Sequence, residues 1–132
     1  MAVIAVLTNL PDSESAFNLA RTLVARRVAA CVNVLAPATS FYRWQGREER
    51  ATEVPVIIKT TTERYAELES IVRECHPYEL PEIIALPVER GLENYLGWIA
   101  DECKPDPDPT RCDAFSRSSP PAWPAPPLPR RR

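Results

Sequence analysis

Eight consecutive residues, Cys75-His76-Pro77-Tyr78-Glu79-Leu80-Pro81-Glu82, gather side chains that could take part in chemistry. They include the only histidine of the sequence, a thiol, two carboxylates and a phenol. The two prolines restrict the backbone around them, and the residue before a proline avoids the helical region. A preceding helix is therefore expected to end at His76, and we expect any metal or ligand site of this chain in the stretch that follows.

Cys75, His76 and Glu82 are the candidate metal ligands, because thiolate, imidazole and carboxylate all bind copper or another divalent metal such as zinc. Neighbouring residues rarely complete a closed site of four ligands, so two alternatives stay open. Cys75 is also explained as a small residue that packs at the end of a helix. His76 is also explained as a ring that holds the loop through hydrogen bonds. We predict no other cofactor.

The elements that position this stretch follow from hydrophobic patterning and turn residues. The predicted elements are a strand at 3–7, a helix at 12–27, strands at 30–44 and 47–61, a helix at 62–75, a strand at 82–88 and a helix at 92–103. Asp12 or Ser13 is expected to cap the first helix and Arg26 and Arg27 to lie in its last turn, while Thr61 or Thr62 is expected to cap the second helix. Gly46 is expected to form the hairpin turn. The apolar run at 82–88 is typical of a buried strand, and Cys103, at the end of the domain, is a candidate surface cysteine. Pro55 lacks an N–H group, so its position should be a sheet edge or a bulge.

This βαββαβ order with a terminal helix predicts an α+β, ferredoxin-like fold, in which an antiparallel sheet carries two helices on one face. The hairpin between the second and third strands is unusually long and has an apolar, aromatic face. Such a face is hard to bury in a domain of this size, which suggests that the hairpin pairs with another chain.

The character of the chain changes at residue 104. Residues 1–103 carry 15 acidic and 10 basic side chains, whereas residues 104–132 include nine prolines and end in Arg130-Arg131-Arg132. We predict one domain over 1–103 and a Pro/Arg-rich tail over 104–132 that is disordered or polyproline-like. The Pro-x-x-Pro spacings of the tail resemble an SH3-type ligand, and a merely solvated tail is the alternative.

Composition also excludes several function classes. An acidic domain argues against a nucleic-acid surface, and no stretch approaches the roughly 20 apolar residues of a membrane span. Four cysteines without a CxxC pair, and no charged segment followed by a long apolar run at the start, indicate a reducing, cytoplasmic location. Three glycines provide no phosphate-binding loop and HExxH is absent, so we predict that the protein is not an enzyme.

Several motifs in the predicted domain resemble the CutA divalent-cation tolerance family. They are Pro11-Asp12, Ala29-Ala30-Cys31-Val32-Asn33, Tyr42-x-Trp44-x-Gly46, Glu53 with Ile58-Lys59-Thr60, His76-Pro77-Tyr78-x-x-Pro81-Glu82 and Tyr95-x-x-Trp98-Ile99. The resemblance covers residues 1–103. It implies a tight homotrimer in which the long hairpin extends a neighbour's sheet, and a role in tolerance of copper and other divalent metals without enzymatic activity.

The resemblance also carries a proposed copper site onto Thr8, Cys75 and Glu82. Two of these positions differ from the family's ligands, and Thr8 is a poor ligand for a soft metal. Cys75 could still supply a thiolate, with the imidazole of His76 beside it.

A ligand cleft is the second candidate site. We expect Tyr78 to line it, with Tyr42, Trp44 and Lys59 of the hairpin approaching across a subunit boundary. For Lys59, a partly buried ion pair with a glutamate such as Glu53 or Glu82 is the structural alternative.

The alternative function is that of a trimeric scaffold resembling PII-type signalling proteins. Such a protein would bind a partner or a small anion, without specific metal binding.

Overall fold

A computed structural model of the protein describes residues 2–105. Its elements are β1 (Val3–Leu10), α1 (Ser13–Ala25), β2 (Cys31–Val34), β3 (Ala38–Trp44), β4 (Arg47–Thr61), α2 (Tyr65–Cys75), β5 (Ile84–Pro87) and α3 (Glu93–Glu102). A single 3₁₀ turn, Thr62–Arg64, leads into α2. The predicted tail lies outside the described residues from position 106 onward.

The strands form one antiparallel sheet in the order β2-β4-β1-β5, and β3 also pairs with β4. This is the strand order of the split βαβ arrangement, so the prediction of an α+β, ferredoxin-like fold is confirmed. The pairing of β1 with β4 ends at Leu10 and Val54. Beyond that point β4 pairs only with β3, and the two strands project from the sheet as an arm.

The two faces of the sheet have different coverings. On the face that we call the inner face, α1 and α2 bury one continuous apolar core against β1 and β4. Its fully buried members include Val6, Leu19, Leu23, Ile58 and Leu68. The opposite face, here the outer face, is covered at one end only, where α3 packs Ile99 and Cys103 against Val3.

A β-bulge separates β2 from β3. Val34 pairs with Val56, but Ala38 pairs with Glu53, so three residues on one strand oppose two on β4. Pro55 lies opposite this bulge, and its carbonyl oxygen accepts a hydrogen bond from the Leu35 N–H. Because Pro55 faces the bulge, its missing N–H does not break a hydrogen bond of the ladder. This confirms the prediction of a bulge at Pro55, although β4 is a central strand.

Local chemistry explains the ends of the first helix and of the hairpin. The Asp12 side chain accepts a hydrogen bond of 2.7 Å from the backbone N–H of Ser15, which makes Asp12 the N-cap of α1. The same bonds hold the pKa of Asp12 below its usual value. The hairpin turn is formed by Gln45 and Gly46, both with positive φ, as a two-residue type I′ turn requires.

Two sequence-based expectations about helix ends are wrong. Helix α1 ends at Ala25, so Arg26 and Arg27 follow it instead of lying in its last turn, and Arg27 has a positive φ of 57°. No threonine side chain caps the second helix, because the turn at Thr62–Arg64 starts without a side-chain hydrogen bond. The Oγ1 atom of Thr61 is instead buried without a hydrogen-bond partner in the described part of the chain.

The fifth strand and Cys103 also differ from expectation. Strand β5 was predicted to be buried, but it lies at a sheet edge, and Ile84 and Leu86 are about half exposed in the single chain. Cys103, expected at the surface, is buried against α3 and β1, and this burial raises the pKa of its thiol. No helix of residues 2–105 is long and apolar enough to cross a membrane.

Candidate functional site

A cleft of about 750 Å³ opens where the arm leaves the sheet. One wall is the arm, which presents Tyr42 and Trp44, and the other wall is the loop that follows α2. Asn9, near the end of β1, and Glu53, at the base of the arm, form the floor. The remaining lining residues are Ser40, Phe41, Pro77, Tyr78, Glu79, Leu80, Pro81 and Glu82.

His76 fixes the loop to β1. It is the residue after α2, it has an extended backbone, and its side chain is buried. The backbone N–H of Tyr78 donates to Nδ1 of His76 at 3.2 Å, so Nε2 carries the proton and donates to the Asn9 carbonyl oxygen at 2.6 Å. Both ring nitrogens are therefore engaged in holding the loop, as one of the two alternatives for His76 predicted.

Glu82 makes the second connection between the loop and β1. Its carboxylate oxygen Oε2 accepts a hydrogen bond from the side-chain amide of Asn9. Asn9 thus contacts both ends of the loop, through its carbonyl group at His76 and through its side chain at Glu82. The loop walls of the cleft are held in place by this one residue of β1.

Glu53 is the buried acid of the cleft. Only 8% of it is exposed, and none of the ion pairs within residues 2–105 includes it. Burial, together with the charge of Glu53 and a hydrogen bond to its carboxylate, raises the pKa of Tyr78 to about 12. The Tyr78 phenol therefore stays protonated through and beyond neutral pH. The Tyr78 ring also lies 4.7 Å from the His76 ring, centroid to centroid.

The structure thus brings together Tyr42, Trp44, Tyr78 and Glu82 around one cleft of a single chain. One chain is thus sufficient to place Tyr42 and Trp44 beside Tyr78, and their approach across a subunit boundary stays a prediction.

Lys59 does not line this cleft. It lies farther along β4, where its Nζ atom is 3.3 Å from the Tyr95 hydroxyl and 5.7 Å from the centre of the Tyr95 ring. The alternative of an ion pair between Lys59 and Glu53 or Glu82 is also wrong, because no carboxylate of residues 2–105 lies within 4.0 Å of Lys59.

The candidate metal ligands are not assembled around a common point. No group of three His, Cys, Asp or Glu residues among residues 2–105 is arranged to hold a metal ion. Cys75 is an exposed free thiol at the end of α2, and His76 has no free ring nitrogen. Thr8 is buried on the inner face, and its Oγ1 atom has no partner in the described part of the chain. As placed, these residues do not fit a copper ion.

Sequence reasoning missed Asn9 as a residue of the site. Its position carried a signal, because strand alternation puts Asn9 on the face opposite to Leu10 at the end of an apolar strand. A polar side chain there needs a partner, and Glu82, 73 residues away, supplies it.

In a comparison with known proteins, residues 4–102 match the family model described as CutA1 divalent ion tolerance protein. The divalent-cation tolerance protein CutA of Thermus thermophilus is 43% identical over 96 residues, which are 73% of this chain and 93% of that protein. The CutA homolog of Xenopus laevis is 44% identical over 97 residues, or 74% of this chain and 64% of the longer frog protein.

Solved structures give the same result for the fold. The Thermus thermophilus divalent cation tolerance protein superimposes with a TM-score of 0.76 at 40% identity, over 77% of this chain and 99% of that one. A protein from Archaeoglobus fulgidus, described as a periplasmic divalent cation tolerance protein CutA, has a TM-score of 0.75 at 38% identity, over 77% of this chain and 99% of that one. A chain that corresponds to the matched part alone therefore forms this fold.

Proposed function

Because this chain belongs to the CutA1 divalent ion tolerance protein family, we propose that it contributes to divalent-cation tolerance as a homotrimer that binds a small ligand in the cleft. The family consists of tolerance proteins, not enzymes. The observation that carries the proposal is the contrast between the two candidate sites. The cleft residues converge from three separate segments of the chain, whereas the candidate metal ligands do not converge.

The outer face supports the assembly. Ile84 and Leu86 of β5, and Tyr95 and Trp98 of α3, are apolar or aromatic side chains that stay 39–49% exposed in the single chain. Exposed large apolar side chains on one face favour an interface. The outward edges of β3 and β5 have no strand beside them in the described chain, so further copies can continue the sheet and close a ring. Three copies is the number that the family resemblance implies.

The assembly is tested by sedimentation of the full chain. We expect about three times the monomer mass of 14.8 kDa. Ile84→Lys should lower the mass to that of one chain, because it places a charge on the proposed interface. Phe17→Lys is the matched control, since Phe17 is exposed by 49% on α1 and Ile84 by 48%. A monomeric wild type, or equal masses for the two variants, contradicts the proposal.

Copper or zinc binding by Cys75, His76 and Glu82 stays a prediction, and it requires His76 to give up one of its two loop hydrogen bonds. Calorimetric titration of the metal-free protein with Cu²⁺ and Zn²⁺ tests it. Saturable binding that Cys75→Ala and His76→Ala each abolish, while Cys31→Ala retains it, supports this site. Absence of saturable binding, or binding that survives both substitutions, contradicts it.

The PII-like alternative shares the ligand cleft but needs no metal. Its anionic ligand fits poorly, because Glu53, Glu79 and Glu82 line the cleft and no lysine or arginine does. The cleft favours a neutral or cationic ligand instead.

The predicted cytoplasmic location belongs to the same proposal and is tested by fractionating cells that express the full chain.

A further inference from the structure

The cleft combines aromatic surface with uncompensated negative charge. Glu53 is buried, and neither it nor Glu79 nor Glu82 takes part in an ion pair within residues 2–105. A carboxylate removed from water is stabilised when a cation lies beside it. The site is therefore electrostatically incomplete in the described part of the chain.

The aromatic side chains suggest what kind of group completes it. Tyr42 and Trp44 project from the same face of β3 and remain 46% and 39% exposed, and Tyr78 faces them from the loop. Grooves lined by aromatic rings bind proline-rich segments in the polyproline II conformation. Acidic side chains next to such rings bind arginine through hydrogen-bonded ion pairs and through stacking on the rings.

The chain itself contains a segment of this chemistry. Residues 120–132 read Pro-Pro-Ala-Trp-Pro-Ala-Pro-Pro-Leu-Pro-Arg-Arg-Arg, with six prolines followed by three arginines and no acidic residue. The family model ends at residue 102, so this segment is an addition to the family domain. Its positive charge opposes both the acidic cleft and the acidic domain.

We propose that the Pro/Arg segment 120–132 docks in the cleft of its own chain. The prolines lie on the rings of Tyr42 and Trp44, and the arginines pair with the glutamates. The inference deepens the proposed function and rests on it, because it names what regulates access to the proposed ligand site. The docked segment competes with the small ligand for the same space.

The length of the intervening chain permits this docking. Fourteen residues, 106–119, lie between Pro105 and Pro120, and in the polyproline II conformation the fifteen steps from one proline to the other span about 45 Å. A domain of about 100 residues has a radius of gyration of about 13 Å. A connection of this length can therefore extend across a domain of this size, and because it is short it gives the segment a high effective concentration at the cleft.

The test is calorimetric titration of a synthetic peptide of residues 116–132 into three proteins. These are the full chain, the full chain with Arg130, Arg131 and Arg132 all replaced by serine, and residues 1–105, which contain the whole family match. We expect saturable binding to residues 1–105. Binding to the full chain should be at least about tenfold weaker, because its own segment occupies the cleft, and the serine variant should regain affinity.

Variants of the domain locate the binding surface. Tyr42→Ala in residues 1–105 should weaken peptide binding by at least about tenfold, as truncation of an aromatic anchor does. Phe17→Ala is the matched control, because Phe17 is an aromatic residue of similar exposure, 49%, on α1 and outside the cleft. A peptide of the same composition in scrambled order controls for unspecific charge attraction.

Four results would overturn the proposal. The first is that the peptide binds saturably neither to residues 1–105 nor to the serine variant. The second is that residues 1–105, the serine variant and the full chain bind it with equal affinity. The third is that Tyr42→Ala and Phe17→Ala have equal effects, and the fourth is that the scrambled peptide binds as well as the natural one. The failure of the proposed function is distinguishable, because sedimentation of the same samples reports the trimer independently. If the domain is monomeric and still binds the peptide, the result contradicts the proposed trimer and supports the docking proposal.

Discussion

The inner and outer faces of this sheet are made of alternate residues of the same strands, but the two faces differ in how far one chain buries them. Residues of β4 such as Val56 and Ile58 are fully buried under α1 and α2, whereas their neighbours Ile57 and Lys59 are only partly covered. The inner face is complete in one chain. The outer face has open edges, exposed aromatic rings and a cleft, so the difference separates the part that specifies the fold from the part available for assembly and binding.

The largest loss of stability is expected from truncating one buried leucine of the inner face. Leu68 of α2 is fully buried, and Leu68→Ala should lower the free energy of unfolding by about 3 kcal/mol through lost contacts and the cavity left behind. Leu80→Ala is the control, because Leu80 is 69% exposed in the loop, and it should change stability by less than about 0.5 kcal/mol. Urea unfolding measures both, and equal losses would contradict the distinction between the faces.

A smaller loss is expected where the two faces are connected. His76→Ala removes the two hydrogen bonds that hold the loop to β1 and should cost about 2 kcal/mol. His76→Gln should recover part of this loss, since its amide can donate to the Asn9 carbonyl group. Unfolding in urea with a metal chelator present measures the structural role alone, and an unchanged stability of His76→Ala would refute that role.

The smallest effect concerns Tyr78 on the outer face and appears only at high pH. Its pKa is raised to about 12 by burial and by Glu53, above the unfolded value of 10.0. The folded state therefore resists deprotonation, and the stability from this phenol is fully present below pH 10 and is lost as the pH rises through 12.

Tyr78→Phe should accordingly flatten the fall of stability between about pH 10 and pH 12. Ultraviolet titration of tyrosinate should show that this variant lacks one late-titrating phenol, while Tyr42→Phe, the control, retains it. A late phenol that persists in Tyr78→Phe would assign the shifted pKa to another residue.

Patterning along the sequence was sufficient for the inner face. Helical spacing of apolar residues in α1 and α2, and the apolar runs of β1 and β4, predict the core because burial there is a local consequence of the sequence pattern. Chemical motifs predicted that Tyr78 and Glu82 belong to a site, because prolines confine the loop that carries them.

Contacts between residues that are far apart in the sequence were harder to predict from the sequence. Lys59 pairs with Tyr95 of α3 instead of a glutamate, and no spacing along the chain encodes that choice. The burial of β5 was overestimated because an apolar run looks the same whether its own chain or another copy covers it. Asn9 was missed because its two partners lie more than 60 residues away.

The two-residue turn at Gln45 and Gly46 decides the chemical character of the cleft. It sets the pairing of β3 with β4, from Trp44 and Arg47 at the tip to Ala38 and Glu53 at the base. Because directly paired residues of antiparallel strands lie on the same face, Glu53 shares its face with Tyr42 and Trp44. One residue inserted before Arg47, with the turn kept at two residues, would shift this pairing by one and bring Phe41 and Arg43 to that face instead. The arginine would place a positive charge beside the buried acid, so a length change at the tip of the arm would alter the charge preference of the site without replacing a side chain that lines it.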